Sequence, residues 1–255
     1  MYIDTHAHLY HKQFDSDRDE LLQRALEAGV KRFYLPNIDS TSVEGMHALC
    51  EAHPDLCFPM MGLHPCSVTA DPTREMAQVE QLLQTGRYRA VGEIGIDLYW
   101  DKTFLPQQEE VFRTHLKWAK QLGLPVAIHC RESFQELFRI LEDENDERLN
   151  GVLHCFTGTV EQGRAIIDLG GFLLGIGGVI TYPKSGLAAV MQELGPAHCI
   201  LETDAPYLAP VPYRGKRNES AYIPHIAEAL AQATSSSVDE IARITTANAL
   251  KLFGA

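Results

Sequence analysis

Apolar residues gather into eight short runs along the chain, most of them broken near the end by glycine, histidine or a carboxylate. They are YIDTHAH from residue 2, RFYLPNI from 32, CFPMMGLHP from 57, RAVGEIGID from 89, PVAIHC from 125, GVLHCF from 151, FLLGIGGVI from 172 and CILETDAP from 199. Runs of this length, rich in branched and aromatic residues, read as strands. Between them, apolar residues recur at helical spacing near 17–28, 42–52, 73–85, 107–122, 133–146, 160–169 and 186–194, and again over 223–253. Leu122-Gly-Leu-Pro125 and Asp168-Leu-Gly-Gly171 each stop a helix and launch a strand. Eight strand and helix alternations predict an α/β fold of the (β/α)8 TIM-barrel type, with residues 1–255 forming a single domain. A doubly wound open sheet is the rival, but no Gly-x-Gly-x-x-Gly follows the first strand.

Composition adds a soluble class to this picture: 45% hydrophobic and 22% charged residues suffice for a full core and are too mixed for disorder. No apolar run approaches the roughly 20 residues of a membrane span, and residues 1–4 enter a strand without the basic start of an export signal. A cytoplasmic location and no membrane association are therefore expected. The six cysteines, at 50, 57, 66, 130, 155 and 199, are scattered with no Cys-x-x-Cys and read as reduced. A formal net charge of −12 repels polyanions at long range, so a phosphate substrate needs a locally positive site.

The polar residues that interrupt the strands sit where barrel enzymes build active sites, at the C-terminal strand ends. They are His6 and His8 on the first strand, His64 on the third, Glu93 on the fourth, His129 on the fifth, His154 on the sixth, and Glu202 with Asp204 on the eighth. Each has an ordinary structural reading in isolation, as a surface ion pair or a hydrogen-bonded core histidine. Together they place about four imidazoles and two or three carboxylates in one cavity, a burial that divalent cations compensate, and two ions fit better than one. Strand alternation turns Cys130 and Cys155 toward the helices if the histidines before them face the axis.

The words DTHAHL, GLHP, VGEIGID, IHCRES, HCFTG, GGVITY and LETDAPYLAP, with ITTANALKLFG at 244–254, closely resemble the TatD-related metal-dependent deoxyribonucleases of the amidohydrolase superfamily. The resemblance runs from residue 3 to the end of the chain. It implies that His6, His8 and Asp204 hold one ion and His129 and His154 another, with Glu93 bridging. Relatives that bridge through a carboxylated lysine carry it on the fourth strand, where this chain has Glu93. Magnesium, zinc or manganese are compatible ions, with room for a third.

The implied activity is hydrolysis of phosphodiester bonds in DNA, as a 3'-5' exonuclease on single-stranded DNA or frayed ends, using a metal-activated water. Asp204 is the expected proton acceptor, with Glu93 and Glu202 as further catalytic carboxylates. Glu202 has two other readings, ligand of an additional ion or partner of a histidine. His64 and Arg131 are candidates for gripping phosphate. The loop at 205–222 carries Arg214, Lys216 and Arg217 for strand steering, and Tyr99, Trp100, Tyr182 and Tyr207 could stack on bases at the rim. The alternative activity is amide or ester hydrolysis on the same dinuclear centre, and a noncatalytic partner in DNA degradation is a third reading that an intact ligand set disfavours. No obligate protein partner is implied.

Overall fold

The computed structural model describes residues 1–254. The eight expected strands are present as β1 (Tyr2–Asp4), β2 (Val30–Pro36), β3 (Cys57–Met60), β4 (Val91–Asp97), β5 (Val126–Arg131), β6 (Gly151–Leu153), β7 (Phe172–Ile176) and β8 (Cys199–Leu201). The helices are α1 (Arg18–Glu27), α2 (Val43–Ala52), α3 (Thr73–Leu83), α4 (Leu105–Leu122), α5 (Phe134–Glu144), α6 (Val160–Asp168), α7 (Leu187–Leu194), α8 (Ile223–Thr234) and α9 (Val238–Phe253). All pairings are parallel and follow chain order, β1 to β3 in one ladder and β4 to β8 in another. Backbone bonds bridge both seams: Gly92 N–H to Met61 O at 2.9 Å on one side, and Thr5 N–H to Leu201 O at 3.1 Å with His8 N–H to Ala205 O at 2.8 Å on the other. This is the (β/α)8 barrel that the alternation predicts.

Two apolar layers follow from the period-two pattern of the strands. Inward residues Ile3, Tyr34, Met60, Ala127, Val152 and Ile200, together with Ala90 just before β4, form an axial cluster that includes Ala249 and Phe253 of α9. The Phe253 ring lies 4.4 Å from that of Tyr34, so α9 packs against the cluster near the N-terminal ends of the strands. The outward residues pack under the helices in a second, larger cluster.

Punctuation decides where the helices end. Gly123, at φ 66°, ends α4 in the left-handed conformation before Pro125. Thr159 and Gln162 form a capping box that starts α6. The helical residues expected over 223–253 form two helices, because Ser235 turns left-handed at φ 53° and the Ser237 side chain caps α9 by accepting from Glu240 N–H. All six cysteines are free. Among the described residues no helix is long and apolar enough to cross a membrane.

Candidate metal centre

Glu93 occupies the middle of the mouth because β4 carries one residue too many for its partner. Gly92 pairs with Ala127 and Ile94 with Ile128, leaving Glu93 as a bulge, the device by which a strand re-aims one side chain. Its carboxylate is 2% exposed and meets imidazoles on both oxygens. Oε2 lies 3.1 Å from His6 Nε2 and 3.5 Å from His8 Nε2. Oε1 lies 2.9 Å from His129 Nδ1 and 3.3 Å from both His64 Nε2 and His154 Nε2. Asp204 Oδ1 joins the first group, 3.6 Å from His8 Nε2 and 4.0 Å from His6 Nε2. One carboxylate thus faces two nitrogen groups, one per oxygen.

The side chains reach this arrangement from loops as well as strands. His6 and His8 were expected within the first strand, yet β1 ends at Asp4 and both histidines follow it. The reason is the Asp4 carboxylate, which accepts from Thr203 N–H, Thr203 Oγ1 at 2.6 Å and Ser220 Oγ at 2.6 Å. That buried knot ties the end of β1 to the segment after β8 and brings His6 and His8 alongside Asp204. His64, expected on the third strand, lies four residues beyond β3 at the start of a single 3₁₀ turn, where its Nδ1 accepts from Cys66 N–H at 3.0 Å. Asp204 itself is held at φ 57°, a left-handed conformation that aspartate tolerates better than most residues.

A further set of groups orients the imidazoles. Asp97 Oδ2 lies 2.8 Å from His129 Nε2, and Glu202 Oε1 lies 3.0 Å from His154 Nδ1 while also accepting from Cys155 N–H. The Tyr10 hydroxyl donates to Pro36 O and so accepts from His8 Nδ1, 2.8 Å away. Gly175 on β7 leaves space for Glu202, since a Cβ there would stand 2.2 Å from Glu202 Oε2. Cys130 faces α5, its Sγ 3.7 Å from Ser133 Oγ, as alternation requires. Cys155, at φ 47°, ends the extended run just after His154.

The electrostatics of the pocket call for positive charge. Burial alone would raise the Glu93 carboxyl, but His64, His6 and His154 hold it well below the ordinary carboxylate range. Burial pulls the imidazoles down, yet Glu202 and Glu93 raise His154 well above 6.5, and Asp97 and Glu93 raise His129. His6, buried and stacked on His154 at 3.7 Å, goes the other way. Protons on His129 and His154 would balance the carboxylates, and divalent cations would meet the same demand. Two buried polar atoms, His6 Nδ1 and Glu202 Oε2, have no hydrogen-bond partner. Five imidazoles around a carboxylate with about four lone-pair sites exceed its hydrogen-bonding capacity, as a ligand set does. The donors fit divalent metal: His6, His8 and Glu93 converge as one group of ligand atoms, His64, Glu93 and His129 as a second, and His6, His154 and Glu202 as a third. Imidazole donors of this kind suit zinc, whereas the carboxylates also suit manganese and magnesium.

The outlying candidates divide. The guanidinium of Arg131 lies 3.8 Å above the Tyr99 ring, and that of Arg214 lies 4.5 Å above the ring of Tyr182, whose hydroxyl donates to Ala209 O. Arg217 instead forms a two-pronged ion pair with Asp17, which Arg24 also contacts while pairing with Glu219. Its place is structural, joining α1 to the loop after β8. Asp4, Tyr10 and Asp97 were not singled out from the sequence. Asp97 alone had a visible signal, since residues 93, 95 and 97 would share one face of a regular strand.

Comparison with known proteins identifies the family of the chain. The sequence profile described as TatD related DNase matches residues 3–254. The chain is 35% identical over 254 residues to YabD of Bacillus subtilis, described as an uncharacterized metal-dependent hydrolase, with 99% of each chain covered. It is 35% identical over 258 residues to the 3'-5' ssDNA/RNA exonuclease TatD of Pantoea ananatis, again with 99% of each covered. Among solved structures, the TatD homologue YjjV of Escherichia coli superposes with a TM-score of 0.93 at 32% identity, covering 100% of this chain and 98% of the other. The paired nitrogen groups around Glu93 are carried on a chain that belongs to the TatD-related DNase family of metal-dependent hydrolases.

Proposed function

We propose that the protein is a 3'-5' exonuclease that hydrolyses phosphodiester bonds of single-stranded DNA or frayed ends. The observation that carries this reading is the division of the Glu93 carboxylate between two nitrogen groups. Its choice of phosphodiester substrate rests on the relatives named as nucleases. His6, His8 and Asp204 would hold one divalent ion and His129 and His154 the other, with Glu93 between them; His64 is positioned to complete the second set or to meet a phosphate oxygen. When bound, two such ions would supply a water of lowered pKa and positive charge for the phosphoryl oxygens and the leaving alkoxide.

The chain's own groups supply the remaining requirements. Asp204, 16% exposed against 2% for Glu93, is the carboxylate best placed to accept the proton of the attacking water. Glu202 holds the His154 tautomer through Nδ1, and Asp97 holds His129 through Nε2, so both imidazoles present their other nitrogen to the centre. Glu202 is therefore assigned a positioning role. Arg131, and Arg214 over Tyr182, supply cationic contacts for the strand, and the cytoplasm is the proposed compartment.

The test is turnover of a 5'-labelled single-stranded oligonucleotide by stripped protein with magnesium, manganese or zinc restored, alongside a panel of amides and esters. A ladder shortening from the 3' end only when metal is present is expected. Amide or ester hydrolysis without nucleotide release would establish the alternative activity.

A further inference from the structure

Beside the metal centre, the loop between β4 and α4 carries an aromatic pair that the ligand set does not use. Trp100 is 71% exposed and Tyr99 47%, their rings 4.8 Å apart and nearly perpendicular. Exposed indoles on surface loops are ordinarily free to move, but this loop is pinned. Asp97 Oδ1 accepts from Tyr99 N–H at 2.9 Å and Trp100 N–H at 3.4 Å, while its other oxygen meets His129. Gln108 holds both sides of Asp97's own backbone, accepting from its N–H at 2.9 Å and donating to its carbonyl at 3.2 Å. A single carboxylate therefore fixes a ligand imidazole and the position of the aromatic pair. From β5, two residues beyond His129, Arg131 lays its guanidinium 3.8 Å over Tyr99 and 5.5 Å from the Trp100 ring. In a chain of net charge −12, this places a cation and open aromatic surface together at the mouth.

We propose that Trp100, Tyr99 and Arg131 form a stacking platform for an unpaired nucleobase next to the scissile bond, with Arg131 meeting the adjoining phosphate. The proposal rests on the nuclease reading above and adds the origin of its strand preference. An aromatic face accepts any base, so the platform confers no sequence preference. It does discriminate against duplex, because a paired base is already stacked and must be pulled from its neighbours before it can lie on Trp100. Through Asp97, the platform keeps that base in register with His129 and hence with Glu93.

The chain has two tryptophans, and the other, Trp118, lies in α4 with its ring 5.3 Å from that of His115. Trp118→Phe makes Trp100 the sole indole. In this metal-loaded variant, a hydrolysis-resistant single-stranded phosphorothioate oligothymidylate is expected to quench fluorescence to saturation, and a blunt phosphorothioate duplex is expected to leave it unchanged. In an otherwise native chain, Trp100→Ala is expected to raise KM for single-stranded DNA about tenfold to hundredfold, the span of one base stack, with kcat changed by no more than about threefold. Trp100→Phe should recover most of that loss. Fluorescence that does not respond to the single strand, equal quenching by the duplex, or an unchanged KM in Trp100→Ala would overturn the platform. A metal-loaded native protein that releases no nucleotide from any single strand would overturn the nuclease reading itself, and the nucleobase as occupant with it.

Discussion

Replacing Glu202 by glutamine keeps the shape of the side chain and removes its charge, which isolates what the carboxylate does for His154. Glu202 Oε1 faces His154 Nδ1 at 3.0 Å and also accepts from Cys155 N–H, inside a pocket where the residue is 1% exposed. A hydrogen bond to a charged acceptor is worth about 1.5–3 kcal/mol, roughly twice a neutral one, so Glu202→Gln should forfeit about 1–1.5 kcal/mol. At a factor of ten per 1.4 kcal/mol, this is a loss of about fivefold to tenfold in affinity for the ion proposed on the His129 and His154 side. Glu202→Ala removes the bond altogether and should weaken that ion about tenfold to hundredfold. The ion proposed at His6, His8 and Asp204 shares Glu93 with the other and should weaken too, but by less, in the glutamine variant. Calorimetric titration of stripped protein with zinc or manganese resolves the two steps, with circular dichroism confirming the fold. Native affinities for both ions in Glu202→Gln would refute the positioning argument. Native affinities accompanied by loss of turnover would instead make Glu202 a proton-transfer group.

Two other perturbations probe the framework. His115, fully buried in α4, faces Val111 O through Nδ1 at 2.7 Å and accepts from Leu63 N–H at Nε2, and burial takes its pKa from 6.5 to about 4. Because the folded value is depressed, its contribution is complete above pH 6.5 and is lost as pH falls from there toward 4. The contribution is about 3 kcal/mol at 1.36 kcal/mol per pH unit, so over this range urea unfolding should show the native protein losing that much more stability than His115→Gln. Equal losses in the two proteins would contradict the assignment. Gly175→Ala would place a Cβ 2.2 Å from Glu202 Oε2, forcing the carboxylate away from His154. It should reproduce the metal-binding defect of Glu202→Ala, and a native binding isotherm would show that Glu202 has room to move.

The period of the apolar pattern made the barrel legible, because each strand buries its inner face on the axis and its outer face beneath a helix. Glu93, His129, His154, Glu202 and Asp204 were visible as polar residues where an apolar run ends. The local shape of the site was less accessible. His6 and His8 at spacing two imply a strand, but β1 stops at Asp4, whose hydroxyl partners Thr203 and Ser220 lie 199 and 216 residues away in sequence. The Glu93 bulge depends on pairing with β5 and leaves no signature in β4 alone. Arg217 resembled a substrate contact until Asp17, 200 residues earlier, accounted for it. Asp97 lay within a recognised stretch, yet its role depends on His129 and on the loop that follows it, neither of which spacing places.

Glu93 is proposed to join two metal ions. Loading stripped protein with manganese and recording its paramagnetic resonance spectrum tests this directly, because ions bridged by one carboxylate couple magnetically and separate ions do not. Two manganese ions per chain with an exchange-coupled spectrum that Glu93→Gln abolishes is the predicted result. A single ion per chain, or two ions giving only the spectrum of isolated manganese, would contradict it.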